Sequence, residues 1–345
     1  MKIASITLTQ EKIALKTPFV TALREVRDVE FIRVKIMCDD GSFTYGEAPA
    51  TKAVTGETLQ SITEDIESIK ELLLAQEAAV ALEILHKTSI GSSAKAALDM
   101  ALVFLLAKQH NKPLQAFFGI QDTRPMKTDI TISLGNSEVM LFDAKRALRE
   151  DKDILKVKLG SDIAHAITLT QLLSRKLPHA KLLIDANQAW NLEQSLQYLR
   201  ETQECKIELI EQPVAAADLE SLKKITLASS VPILADEAVF TLADVKKVLQ
   251  NSCADMINIK LMKCGGVSKA IEILEYARKA NVQCMLGSML EGPYSINAAI
   301  YLAFAYRDVV QYIDLDSPLL YKELPQELDF AYEANVIRFK QPVLQ

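Results

Sequence analysis

The chain has 345 residues, 49% of them hydrophobic, which is enough to bury a large core or a barrel with a smaller companion domain. The formal net charge of -6 argues against nucleic acid as the main partner, because phosphate binding requires a concentrated basic face. No apolar segment approaches the roughly 20 residues that a membrane span needs, and no signal peptide is evident, so we expect a cytoplasmic protein without a membrane partner.

The N-terminal region begins with strand-like alternation and continues with helical spacing. Three runs alternate apolar and polar residues, namely ASITLTQ, VEFIRVKIMC and SFTYGEA, and Asp39-Asp40-Gly41 supplies a turn before the third. From Gly56 to about residue 112 the apolar residues recur with helical spacing. This pattern predicts an α+β module over residues 1–124.

From about residue 125, short apolar runs alternate with helical stretches. The runs are DITISLG, ILKVKLG, KLLIDAN, IELIEQP, VPILADE, MINIKLM, QCMLGSM and VQYIDLD. One polar residue near the end of each, from Thr131 to Asp314, recurs at intervals of 24 to 28 residues. Eight evenly spaced strands with room for helices between them predict a TIM-like (β/α) barrel over residues 125–318. A doubly wound sheet is the competing α/β fold, but its GxGxxG fingerprint is absent.

The C-terminal tail, residues 319–345, lacks another clear amphipathic helix. It contains ELDFAYEANVIRFKQPV, which has the appearance of paired strands. We expect this tail to return to the N-terminal module.

Three consecutive predicted strands end in carboxylates, namely Asp185, Glu211 and Asp236. In a parallel barrel these ends share one rim, where three anions would repel one another unless a cation lay between them. Oxygen ligands with places left for water or substrate favour Mg²⁺. The alternative is that each carboxylate caps a helix or forms a local salt bridge, which is harder to sustain for three successive strands.

Two lysines occupy an apparently buried strand. Lys156 and Lys158 share one face of ILKVKLG, whereas Leu155 and Val157 share the other, so both lysines should point into the barrel mouth. Lys260 ends the sixth strand. A desolvated lysine beside another cation loses its proton more readily, and Lys158 and Lys260 could then act as opposed bases that invert a carbon. Salt bridges to barrel carboxylates are the alternative.

These motifs together resemble the muconate-lactonizing subgroup of the enolase superfamily. They are KVK at 156–158, DAN at 185–187, EQP at 211–213, DE at 236–237 and IKLMKCGG from 259. The resemblance implies a capping domain over a (β/α)7β barrel, one Mg²⁺ on the three carboxylates, and removal of a proton α to a carboxylate. It also implies that Lys158 serves the (R)-substrate, Lys260 the (S)-substrate, and Lys156 holds the substrate carboxylate.

The last strand bears on the substrate. YIDLDSP places Asp314 and Asp316 on one face, where two carboxylates suit an ammonium group. This Asp-x-Asp resembles that of dipeptide epimerases, in which the pair holds the free amino terminus. The alternative is an Asp-Ser-Pro turn after the strand.

Further pocket residues follow from the same resemblance. Arg24, between the first two strands, resembles the lid arginine of L-Ala-D/L-Glu epimerases that meets a side-chain carboxylate, and a bidentate arginine would select an acidic side chain. Its alternative is an ordinary solvated arginine. Thr131, Ser288 and Leu290 would line the dipeptide pocket.

The resulting hypothesis is a Mg²⁺-dependent dipeptide epimerase that acts on L-Ala-D/L-Glu in murein peptide recycling and is assembled as a homo-oligomer. An epimerase of hydrophobic or cationic dipeptides, an N-acylamino acid racemase and an o-succinylbenzoate synthase are alternatives within the class. A glycoside hydrolase using Glu211 and Asp236, or a barrel without catalytic activity, are alternatives outside it.

Overall fold

A computed structural model of the chain describes residues 1–21 and 25–340. The first sheet is antiparallel with strand order β1-β2-β3 and contains β1 (Ile3–Val20), β2 (Glu25–Cys38) and β3 (Phe43–Pro49). Strand β1 is longer than the sequence predicts. Its second half pairs with β2 as far as Val20 and Glu25, and exposed and less exposed residues still alternate from Glu11 to Lys16, so the alternating face continues beyond the predicted run.

A group of helices covers this sheet. They are α1 (Lys52–Thr55), α2 (Leu59–Leu73), α3 (Ala78–Lys87), α4 (Ser92–Gln109) and α5 (Leu114–Phe117). Thr58 starts α2 with a capping box in which its side chain accepts a hydrogen bond from the Ser61 amide. Helix α4 packs against β3 so closely that a Cβ on Gly46 would overlap the carbonyl oxygen of Ala97. A side chain at position 46 would therefore separate the sheet from its helix.

The larger sheet is parallel, with strand order from β12 to β5. After the short β4 (Met126–Lys127), its strands are β5 (Ile130–Ile132), β6 (Ile154–Lys158), β7 (Lys181–Asp185), β8 (Ile207–Glu211), β9 (Ile233–Ala235), β10 (Met256–Lys260), β11 (Cys284–Gly287) and β12 (Val310–Asp314). The backbone amide of Asp129, just before β5, donates to the carbonyl of Ile313 in β12 at 2.9 Å. This contact joins the two edge strands into a barrel.

Helices follow the strands in the order expected of a (β/α)7β barrel. They are α6 (Ser137–Arg149), α7 (Ile163–Lys176), α8 (Leu192–Glu201), α9 (Leu219–Ala228), α10 (Leu242–Gln250), α11 (Leu261–Cys264) with α12 (Val267–Ala280), and α13 (Pro293–Ala305). The last strand, β12, is followed only by the four-residue α14 (Ser317–Leu320). The predicted barrel is therefore confirmed, with its eighth helix replaced by a single turn.

The barrel interior has two layers that differ in chemistry. The lower layer is apolar and consists of Leu183, Leu209, Leu234, Met256, Met285 and Tyr312. Because strand side chains alternate between faces, the next inward residue on a strand lies two positions later. After Leu183 this residue is Asp185, and after Leu209 it is Glu211. The apolar layer thus forms the floor beneath a charged layer at the barrel mouth.

The tail forms a small sheet of order β13-β14-β4, with β13 (Phe330–Glu333) and β14 (Val336–Phe339). Tyr321 bridges to Leu15 of the first sheet, whereas Phe330 stacks on Phe304 of barrel helix α13. The tail therefore contacts both parts of the molecule, and the division at residues 124 and 318 stays a prediction. Within the described ranges, no helix combines the length and apolar character needed to cross a membrane.

Candidate active site

Three buried carboxylates lie at the ends of neighbouring strands. Asp185 ends β7, Glu211 ends β8 and Asp236 directly follows β9. Asp185 and Glu211 are direct neighbours in the pairing of β7 with β8, and the three residues are 0%, 0% and 1% exposed. The fold thus brings together the three predicted metal ligands, in an environment where unpaired negative charge is costly.

Lys156 lies among these carboxylates and has no exposed surface. Its Nζ is 2.5 Å from Asp314 Oδ2, 2.7 Å from Glu211 Oε2 and 3.4 Å from Asp185 Oδ2. Burial works against its charge, but these three carboxylates outweigh burial and raise the pKa of Lys156 well above its usual range. Lys156 is therefore a fixed cation at the centre of the charged layer.

Lys158 and Lys260 face one cavity from opposite sides of the barrel. They end β6 and β10, which are four strands apart in a sheet of eight, and both line the cavity at the barrel mouth. Lys158 Nζ is 2.6 Å from Asp185 Oδ2, and Lys260 Nζ is 2.6 Å from Asp236 Oδ2. The predicted pair of lysines thus lies across a shared space.

The protonation of Lys260 differs from the expectation based on sequence. Burial opposes its charge, but the Asp236 carboxylate outweighs burial and raises the pKa of Lys260 above its ordinary value. The direct contact with Asp236 therefore favours the ammonium form. The sequence indicated cationic neighbours but gave no sign of which carboxylate would pair with which lysine.

Glu211 shows that the charged layer lacks positive charge. Burial, followed by the Asp185 carboxylate, raises the pKa of Glu211 to about 8. Its Oε1 accepts a hydrogen bond of 2.8 Å from Asn258 Nδ2, whereas its Oε2 has only the ionic contact with Lys156 and accepts no directed hydrogen bond. A buried carboxylate oxygen with free acceptor capacity, beside two further carboxylates, fits a hard divalent cation such as Mg²⁺.

Sequence reasoning did not assign roles to Lys263 and Asn258. Lys263 Nζ is buried, contacts Asp236 Oδ1 and donates to the carbonyl of Asn258 at 2.9 Å, so it fixes Asp236 from below. Asn258 interrupts the apolar run MINIK and lies two residues before Lys260, on the same face of the strand. That alternation was a usable signal for Asn258, whereas the contacts of Lys263 depend on the turn of α11.

A second acidic cluster lies beside the first. Asp129, Asp314 and Asp316 each place one carboxylate oxygen within 4.8 Å of the other two. Among the described residues this is the set whose oxygens converge most closely, and it is not the predicted metal trio. In the trio, Asp185 is drawn toward Lys158 and Asp236 toward Lys260 and Lys263. These lysine contacts hold the carboxylates of the trio apart, whereas the second cluster converges although Asp314 contacts Lys156.

The predicted pocket residues line the same cavity as the lysines. The residues involved are Thr131, Ser288, Leu290, Asp314 and Asp316. The Thr131 amide donates to Asp316 Oδ2 at 2.7 Å, and the Ser288 amide donates to the Asp314 carbonyl at 3.0 Å. Phe19 and Val54 from the N-terminal region close the cavity. Arg24 lies outside the described residues, so its role stays a prediction.

Comparison with protein families identifies this arrangement. Residues 3–119 match the mandelate racemase / muconate lactonizing enzyme N-terminal domain, and residues 139–341 match the enolase C-terminal domain-like family. The chain belongs to this enolase-superfamily family. The first matched segment falls within the predicted capping region, the second covers most of the predicted barrel and extends into the predicted tail, and the predicted family is confirmed.

Similar proteins narrow the comparison. The chain is 57% identical to the L-amino acid-D/L-Glu epimerase of Sulfurimonas denitrificans, over 98% of this chain and 99% of that protein. A substrate-liganded L-Ala-D/L-Glu epimerase from Bacillus subtilis superposes with a TM-score of 0.92 at 36% identity, covering 99% and 97% of the two chains. A dipeptide epimerase from Enterococcus faecalis, complexed with Mg and L-Leu-L-Tyr, gives 0.91 at 31% identity, covering 99% and 98%.

These similarities bear on four predictions, namely the fold, the enzyme class, the cofactor and the substrate class. The (β/α)7β fold with an N-terminal capping sheet is confirmed by the superposition, and the isomerase class is confirmed by relatives that are epimerases. The Mg and dipeptide ligands of the Enterococcus faecalis enzyme agree with the predicted cofactor and substrate class.

Proposed function

We propose that the protein is a Mg²⁺-dependent epimerase that inverts the α-carbon of the C-terminal residue of a dipeptide. The observation that supports this most strongly is the pair of buried lysines, Lys158 and Lys260, which face one cavity from strands on opposite sides of the barrel. Inversion requires a base on one face of the carbon and an acid on the other. A single-base hydrolase would leave one of these lysines without a role.

Asp185, Glu211 and Asp236 would hold one Mg²⁺ per subunit. When bound, the ion stabilises negative charge that develops on the substrate carboxylate as the α-proton leaves. The ammonium group of Lys156, fixed by its contacts with Glu211 and Asp314, would hold the same carboxylate from the other side. Such preorganised positive charge is commonly the largest contribution to catalysis of this kind.

The two lysines would divide the proton transfers by configuration. Lys158 would take the α-proton from the (R)-epimer and Lys260 from the (S)-epimer, while the opposite lysine returns a proton to the other face. Burial of both side chains, each 6% exposed, keeps bulk water from exchanging protons indiscriminately with the reacting carbon.

Asp314 and Asp316 would bind the α-ammonium group of the dipeptide, with Thr131, Ser288 and Leu290 around it. Arg24 would meet a carboxylate on the C-terminal side chain, which favours L-Ala-D/L-Glu and similar acidic dipeptides. The alternatives are hydrophobic or cationic dipeptides, as the L-Leu-L-Tyr complex of the Enterococcus faecalis relative illustrates, N-acylamino acids, or o-succinylbenzoate synthesis.

The proposed setting is recycling of murein peptides in the cytoplasm by a homo-oligomer. The composition supports a protein that acts on small molecules rather than on nucleic acid or membranes. Residues 1–124 would form the capping domain, 125–318 the barrel domain and 319–345 a tail that returns to the cap.

A dipeptide panel in D₂O tests the function. The Mg²⁺-loaded protein should incorporate deuterium at the α-carbon of the C-terminal residue of L-Ala-L-Glu and convert it to L-Ala-D-Glu, as followed by ¹H NMR. Rapid exchange of L-Leu-L-Tyr or a cationic dipeptide without exchange of L-Ala-L-Glu would reject the acidic assignment. Absence of exchange with every dipeptide would reject the epimerase proposal.

A further inference from the structure

The carboxyl group of Asp129 is not accounted for by the fold. The residue lies just before β5, has no exposed surface, and neither side-chain oxygen has a hydrogen-bond partner among the described residues. Buried carboxylates are almost always hydrogen-bonded or paired, and an unpaired one carries a substantial desolvation cost. A group retained at such a cost is a candidate for binding something that this chain does not itself supply.

Asp129 lies beneath two carboxylates that reach the substrate cavity. One oxygen of Asp129 is within 4.8 Å of an oxygen on both Asp314 and Asp316. Asp314 and Asp316 line the cavity, whereas Asp129 does not. Asp129 therefore lies behind this end of the cavity, with one carboxylate oxygen close to oxygens of both neighbours.

The charges around this point do not balance. Asp314 pairs with Lys156 at 2.5 Å, but Lys156 is shared with Glu211 at 2.7 Å. Asp316 accepts a hydrogen bond from the neutral Thr131 amide. Burial and the neighbouring Asp314 carboxylate hold the pKa of Asp129 well above its usual range, which is the expected response of a carboxyl group without a nearby cation of its own. One further positive charge would complete the cluster.

We propose that Asp129, from behind Asp314 and Asp316, strengthens the ammonium site by its charge and increases the preference of the cavity for substrates with a free α-amino group. The inference rests on the proposed function and extends the predicted Asp314 and Asp316 pair by a residue that never reaches the surface. A bound ammonium favours ionisation of Asp129, and the resulting negative charge, in a region of low dielectric, strengthens binding of the ammonium and has no counterpart for an N-acylated substrate.

Asp129→Asn tests this inference, because it keeps the shape of the side chain and removes the charge. Binding of L-Ala-L-Glu and of N-acetyl-L-Ala-L-Glu is measured by calorimetry on the Mg²⁺-loaded protein. The wild type should prefer the free dipeptide, and D129N should reduce that preference about tenfold, because the charge of Asp129 attracts the ammonium across a region of low dielectric. In epimerisation assays KM for L-Ala-L-Glu should rise with little change in kcat, because the ammonium contact is uniform through the reaction.

Asp153→Asn is the matched control. Asp153 pairs with Lys127 at the opposite end of the barrel, so D153N changes the net charge equally and should leave both affinities unaltered. Should D129N fail to fold by circular dichroism, D129S removes the same charge with a smaller side chain.

The inference is overturned if D129N retains the wild-type preference for the free dipeptide. It is also overturned if D129N lowers Mg²⁺ affinity and leaves that preference intact, since the cluster would then be an inorganic cation site. Failure of the wild type to exchange any dipeptide overturns the proposed function instead, and this is observed before any variant is made.

Discussion

The lower and upper layers of the barrel interior lie on the same strands yet have opposite chemistry. On β8, Leu209 belongs to the apolar floor, and Glu211, two residues later on the same face, has no exposed surface and a pKa raised to about 8. On β7, Leu183 and Asp185 repeat this step. In each of these two pairs, burial of the leucine stabilises the fold, whereas burial of the carboxylate two residues later destabilises it.

The free-energy cost of burying the charged layer is offset by the extensive apolar burial in the floor and the surrounding helices. Burying a leucine side chain contributes roughly 1.5 to 3 kcal/mol, whereas breaking up a buried charge cluster by leaving one member unpaired typically costs about 3 to 5 kcal/mol. The proposed binding of a cation and a substrate would account for carboxylates at such a cost.

The largest expected effect concerns only the upper layer. Removing divalent metal with EDTA should abolish deuterium incorporation into L-Ala-L-Glu, because the three carboxylates would lose the ion that stabilises the developing charge, and added Mg²⁺ should restore it. ¹H NMR in D₂O measures both steps. A rate that is unchanged after chelation would contradict the metal assignment, whereas unfolding of the chelated protein would be visible by circular dichroism.

Leu209→Ala breaks the lower layer alone. The cavity left in the floor should reduce the free energy of unfolding by about 2 to 5 kcal/mol, as measured by urea denaturation. Mg²⁺ affinity of the folded variant, measured by calorimetry, should stay near the wild-type value. Leu227→Ala, at a site that is 72% exposed, is the control and should change stability little. Equal losses in the free energy of unfolding for the two leucine variants would contradict a stabilising role for the apolar floor.

Glu211→Gln makes the complementary change in the upper layer. Losing one anionic ligand should weaken Mg²⁺ binding by about 100-fold, because affinity for a hard cation depends on ligand charge. Calorimetry measures the change, and Glu204→Gln, the same substitution at an exposed position, should leave Mg²⁺ affinity intact. Unaltered Mg²⁺ binding in E211Q would remove Glu211 from the ligand set.

A smaller effect should appear in the pH dependence of the metal-free protein. Because burial raises the pKa of Glu211 from 4.5 to about 8, the folded state retains a proton that the unfolded state releases, and stability falls as pH rises between these values. E211Q lacks this contribution, so its melting temperature should fall less than that of the wild type between pH 5 and pH 8. Parallel melting curves would contradict the shifted pKa.

Much of the barrel and its site could be predicted from sequence, because both depend on local alternation. Strand alternation placed Lys156 and Lys158 on the inward face, and the even spacing of strand ends placed Asp185, Glu211 and Asp236 on one rim. These are properties of each strand and of the regular barrel, and they require no knowledge of individual partners.

Partnerships across the barrel could not be predicted in the same way. The pairing of Lys260 with Asp236, which reverses the expected direction of its pKa shift, depends on side chains 24 residues apart. The unpaired state of Asp129 depends on β5 meeting β12 at the closure of the barrel. The end of β1 is held by pairing of Phe19 and Val20 with β2, which the alternation up to Leu15 does not predict.

In the proposed mechanism Lys158 and Lys260 each remove the α-proton from one epimer. Single-lysine variants in D₂O test this assignment. Lys260→Ala should still exchange the α-proton of L-Ala-D-Glu, and Lys158→Ala that of L-Ala-L-Glu, while epimerisation falls by about 10³-fold in both because one of the two bases is missing. Lys181→Ala, at the exposed start of β7, is the control and should keep full activity. Epimerisation near the wild-type rate in either lysine variant, or α-proton exchange of both epimers by a single variant, would contradict the assignment of one base to each epimer.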